Sequence, residues 1–108
     1  MEANMEVILV YVTHPDRGAA RAIVDRLMDA RLIACANTLP IASTYRWKGA
    51  VEHAEEVVTV LKTRAALWPR VAAEIAAVHP YEVPCIVRVP AAASGPFAAW
   101  IYEETCEA

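Results

Sequence analysis

Two long extended arms that meet at one tight turn constrain this chain more than any other feature. From about Ala34 to Trp47 the residues are rich in Thr, Tyr and β-branched side chains, and a second such run goes from Ala50 to about Thr63, with Lys48-Gly49 as the turn between them. Each arm is about 13 residues, more than twice the usual strand of roughly 5–6. At roughly 3.3 Å per residue an arm spans over about 40 Å, whereas a helix of about 14 residues covers only about 21 Å. The helices of the same chain therefore cannot shield the hairpin along its length. Its distal half nevertheless carries Ile41, Tyr45, Trp47 and Val51, which something from outside must cover, and a second copy of the chain is the simplest candidate. In-register pairing around the turn sets Glu52 opposite Tyr45 and Ala54 opposite Ser43. Pro40 cannot donate to a ladder, so the first arm is expected to be an edge strand or to bulge there.

The remaining elements follow from periodicity. Val7 to Val12 (VILVYV) reads as a central strand. Thr13 and Asp16 are N-cap candidates for an amphipathic helix of roughly four turns, with Ala20, Ile23, Val24, Leu27 and Met28 at helical spacing and Arg21, Asp25, Arg26 and Asp29 mostly opposite. Thr63 is expected to cap a second helix lined by Leu67, Val71, Ile75 and Val78, its regular part delayed by Pro69 to about residues 66–68. A short strand, Cys85 to Val89, closes at Pro90, and Ala91 to Ser94 form a loop. Ser94-Gly95-Pro96 then open a last helix in which Phe97, Trp100 and Ile101 share a face. The order β-α-β-β-α-β-α predicts an α+β fold of the ferredoxin-like split β-α-β type with an added C-terminal helix. Its antiparallel sheet has the first and third strands central and the second and fourth at the edges. At 108 residues the chain is one domain.

Composition narrows the function classes. Net charge is −3, and the ten Lys and Arg are scattered without a basic stripe, so no nucleic-acid partner is expected. Hydrophobic residues make up 57% of the chain, more than a small monomer readily hides, which again points to contact between subunits. No apolar run approaches the roughly 20 residues of a membrane span, and the start MEANMEV lacks a basic, cleavable leader pattern. No membrane partner and a cytoplasmic location are therefore expected. Cys35, Cys85 and Cys106 are odd in number, widely spaced and without a C-x-x-C, which argues against both a disulfide framework and a structural zinc site.

The run His79-Pro80-Tyr81-Glu82-Val83-Pro84 packs an imidazole, a phenol and a carboxylate between two prolines. Proline fixes its own φ and biases the preceding residue toward extended backbone, so this segment holds its polar groups stiffly. That suits a binding site, and it equally suits a rigid helix-to-strand connection.

Several patterns now occur together in order: Ala34-Cys35-Ala36-Asn37, Ser43-x-Tyr45-x-Trp47-x-Gly49, Glu55-Glu56 with Lys62-Thr63, the HPYEVP run followed by Ile86, and Trp100-Ile101. Over nearly its whole length the chain resembles the CutA family of divalent-cation tolerance proteins. The resemblance implies a homotrimer whose long hairpins pair across subunits, with Tyr45, Trp47 and Glu56 among the hairpin contacts. It also implies a link to divalent metal ions, copper first, and no catalytic activity. The family's trimer is similar to that of the PII signalling proteins. Where most relatives have Glu, this chain has Cys85; Val78 and Val12 stand where some relatives carry a second histidine and a cysteine.

His79, Glu82 and Cys85 are the candidate metal ligands, since imidazole, carboxylate and thiolate suit Cu(II) and Zn(II). His53 among Glu52, Glu55 and Glu56 is a weaker set, set against the alternative of a solvated face that discourages wrong edge pairing. Lys62, with Tyr81 and Trp100 as walls, is a candidate for an anion in a cleft between subunits. Cys35, also a cleft candidate, is mainly a small core residue. His14, beside Pro15, reads as a turn residue. The leading function is a non-catalytic, trimeric divalent-metal-binding protein. The alternative is a PII-like sensor of a small anionic metabolite. An acylphosphatase-like enzyme would need a glycine-rich anion loop after the first strand, where this chain has Thr13-His14-Pro15-Asp16-Arg17.

Overall fold

Alternation along the first strand, β1 (Val7–His14), divides the molecule into two faces. Ile8, Val10, Val12 and His14 point one way and are buried, while Leu9, Tyr11 and Thr13 point the other way and are only partly covered. The computed structural model describes residues 5–107. After β1 come helix α1 (Arg17–Asp29), strands β2 (Cys35–Trp47) and β3 (Ala50–Arg64), a 3-10 turn (Ala65–Leu67), helix α2 (Trp68–Val78), strand β4 (Ile86–Ala91) and helix α3 (Gly95–Glu104). The sheet order is β2-β3-β1-β4 and every neighbouring pair is antiparallel. This is the expected α+β arrangement, with β1 and β3 central.

The hairpin forms as its length required. Tyr45 faces Glu52 and Ser43 faces Ala54. Lys48 and Gly49 both take positive φ, 49° and 84°, the backbone of a two-residue turn whose twist matches the strands. β1 pairs with β3 only from Val57 to Arg64, so Ala50–Glu56 pairs with β2 alone and runs past the four-stranded body.

The main core lies between one sheet face and the first two helices: Ile8, Val10, Val12 and Leu61 from the sheet, Ile23 and Leu27 from α1, Val71 and Ile75 from α2, with Leu32, Ile33 and Leu67. Asp16 caps α1, its carboxylate accepting from the Ala19 N–H at 2.8 Å. On the opposite face α3 covers only the Val7 end, through Ala98 and Ile101. Arg64 holds α3 there by donating to the Tyr102 carbonyl and to Thr105.

Four local expectations are corrected. Thr63 caps no helix: it lies fully buried in β3 and donates its hydroxyl to the Leu32 carbonyl at 2.7 Å, because pairing with β1 continues the strand through it. β4 begins after Cys85 and runs through Pro90, which an edge strand tolerates with its missing donor outward. The buried stripe of α3 is Ala98 and Ile101. Phe97 and Trp100 are each 39% exposed and pack on one another with ring centroids 5.5 Å apart. β1 extends two residues beyond Val12, which carries His14 into the interior.

Candidate functional site

The HPYEVP bend starts where α2 stops. Pro80 forces His79 into extended backbone (φ −71°, ψ 136°), while the His79 N–H still closes the last helical turn on the Ile75 carbonyl at 2.9 Å. That geometry folds the imidazole back onto the end of β1. Its Nε2 lies 2.8 Å from the Thr13 carbonyl oxygen, and its Nδ1 accepts the Tyr81 backbone N–H at 3.1 Å. The ring lies 5.4 Å from that of His14, tilted by 24°, and 4.8 Å from that of Tyr81.

His14 is not the turn residue its neighbour Pro15 suggested. It is the last residue of β1, fully buried, with Nε2 2.8 Å from the Thr59 hydroxyl and no hydrogen-bond partner at Nδ1. A legible signal existed: the inward phase Ile8, Val10, Val12 continues to His14. Burial, and then the neighbouring His79, push its pKa down to about 4, against a smaller opposing pull from Glu56.

Tyr81 donates its hydroxyl to Glu56 Oε2 at 2.6 Å. Burial, then this hydrogen bond and the negative field of Glu56, raise the phenol above its ordinary range. Glu56 is the first β3 residue beyond the end of β1, so the bend is joined to both central strands. Around this contact opens a cavity of about 650 Å³, whose lining includes Tyr45 and Trp47 from the hairpin, Glu56, and Tyr81, Glu82 and Cys85 from the bend.

The other candidates lie elsewhere. Lys62 and Cys35 are register partners on adjacent strands. The Lys62 ammonium donates to Asn37 Oδ1 at 2.6 Å and lies 5.8 Å from the Phe97 ring, which packs on Trp100. Lys62 stands six residues from Glu56 along β3, roughly 20 Å, so one chain does not bring Lys62 and Trp100 together with Tyr81. His53 is hydrogen-bonded to Thr44 at 3.1 Å.

The expected trio His79, Glu82 and Cys85 is not assembled as a metal centre. Among the described residues no three His, Cys, Asp or Glu side chains are grouped to hold an ion. The physical reason at His79 is direct: both ring nitrogens already serve the backbone. Glu82 and Cys85 line the cavity without it.

Comparison with known proteins decides the family. The family described as CutA1 divalent ion tolerance protein matches residues 8–104. This chain belongs to the CutA1 family. It is 40% identical over 100 residues to the divalent-cation tolerance protein CutA of Pyrococcus horikoshii, covering 92% of this chain and 98% of that protein. A crystal structure of CutA1 from the same organism superposes with a TM-score of 0.90 at 40% identity, covering 93% of this chain and 99% of the other. The structure of the periplasmic divalent cation tolerance protein CutA from Archaeoglobus fulgidus gives a TM-score of 0.89 at 35% identity, covering 91% and 97%. Membership supports a metal-tolerance role for this CutA1-family chain. Among its described residues no helix is long and apolar enough to cross a membrane.

Proposed function

We propose that this protein is a non-catalytic, cytoplasmic homotrimer that binds divalent ions, copper foremost, at a site completed between subunits. The observation that carries this reading is the cavity beside Tyr81. It places Glu56, Glu82 and Cys85 on the sheet face that the helices leave open, next to Tyr45 and Trp47 of the overhanging hairpin. One chain gathers too few donors for a strong site, and a second copy laid on that face adds its own groups to the same cavity. Thiolate and carboxylate together suit copper and zinc, and copper leads the general order of affinities.

A calorimetric titration of the reduced, metal-free protein with Cu(II) and Zn(II) tests this. Saturable binding is expected, stronger for copper, and weakened in both Cys85→Ser and Glu82→Gln. Absence of saturable binding, or equal binding by all three proteins, overturns the site.

A further inference from the structure

We propose that His79 is the fastener of the bend and not a donor to a metal: a neutral imidazole, protonated on Nε2, that ties Thr13 to Tyr81 and thereby sets the phenol on Glu56. Both partners leave no freedom in this assignment. A carbonyl oxygen only accepts, so the Nε2 that lies 2.8 Å from the Thr13 oxygen carries a proton. A backbone N–H only donates, so the Nδ1 that lies 3.1 Å from the Tyr81 nitrogen presents its lone pair. Two partners of fixed role thus set the tautomer.

The same two bonds oppose a metal. An ion at Nδ1 must displace the Tyr81 N–H, and an ion at Nε2 must remove the proton held by Thr13. Either leaves a main-chain group without its partner, at a residue that is only 9% exposed. Double protonation fares no better, because Nδ1–H would then meet the Tyr81 N–H donor to donor. The buried ring of His14 backs the imidazole on one side and the Tyr81 ring lies against it at 4.8 Å. Tyr81 is thus held by His79 through both its amide and its ring, and its hydroxyl reaches Glu56 on β3. His79 is therefore a positioning residue for the cavity wall. The inference rests on these contacts alone and stands whether or not the cavity binds copper.

Nitrogen-15 labelling of the histidines tests it on the wild-type protein, with long-range proton–nitrogen correlations assigned through bonds from each residue's own backbone. The expected pattern at His79 is the neutral Nε2–H tautomer, retained with one equivalent of Zn(II), which is diamagnetic and leaves the spectrum readable. An Nδ1–H or doubly protonated ring, or loss with zinc of the Nε2 proton or of the unprotonated Nδ1 resonance that marks direct coordination, overturns the proposal. His79→Gln supplies a second reading. It keeps a side-chain donor for Thr13 but has only a methylene hydrogen where histidine carries Nδ1, its own amide oxygen lying a bond further out, so the Tyr81 amide is expected to exchange with solvent roughly tenfold faster, the equivalent of one lost hydrogen bond, with α1 amides unchanged. An unchanged Tyr81 rate in the folded variant also overturns it.

Discussion

His14 and His79 stack with ring centroids 5.4 Å apart, and His14 is fully buried with no hydrogen-bond partner at Nδ1. The consequence for His14 is a stability that depends on pH. In the unfolded chain its ring has the ordinary value of 6.5, and in the folded chain burial lowers this to about 4. Between those two values the unfolded state binds a proton that the folded state refuses. The contribution of His14 is therefore fully present above about pH 6.5 and is lost as pH falls toward about 4, by on the order of 3 kcal/mol. Urea denaturation at pH 7 and pH 4.5 is expected to show this loss, and His14→Leu to flatten that part of the slope. A second test concerns the contact on Glu56. Tyr81→Phe is expected to cost about 1 kcal/mol and to remove one of the late-titrating phenols from a spectrophotometric titration, the other being Tyr102. At this scale the sequence was only partly legible. The stiffness of HPYEVP could be read from two prolines, and Tyr81, Glu82 and Cys85 do share a cavity. The occupation of both His79 nitrogens could not be read, because Thr13 lies 66 residues away along the chain. Pro15 suggested a turn at His14, but the strand alternation was the stronger signal.

Among the elements, the β2-β3 hairpin was the most legible, since its length, alternation and Lys48-Gly49 turn all agree on one register. Gly49 is the residue that the turn depends on. It has φ 84°, and a Cβ added there meets nothing within 4 Å, so Gly49→Ala is expected to cost about 1–2 kcal/mol from backbone strain alone. Gly49→Asn should recover most of that, because asparagine tolerates this conformation; denaturant midpoints of the two variants measure the difference. What local signals missed was decided by neighbours. A threonine ahead of an apolar stripe looks like a cap, yet Thr63 pairs with Ile8 across the sheet and stays in β3. Pro90 looks like a stop, yet β4 lies at an edge where only one side needs donors. In a helix as short as α3 the inward stripe is settled by where Arg64 pins its end.

The whole molecule measures 53 × 24 × 21 Å, a long body for a small chain, because the hairpin overhangs the helices. Its open face is apolar where water would disfavour it: Leu39 is 44% exposed, Val87 48% and Trp47 38%. β2 and β4 are the sheet edges, ready to pair. These features, visible first as unshielded arm length, support contact between copies through that face and its edges, as the proposed homotrimer requires. Leu39→Asp and Val87→Glu each add a charge to the face without touching the helix-side core. They are expected to disperse the assembly while leaving the circular dichroism of the chain unchanged. The most direct measurement is sedimentation equilibrium of the wild-type protein at micromolar concentration. A single species of three times the 11.8 kDa chain mass is expected, and a stable species at the mass of one chain would contradict assembly through the open face.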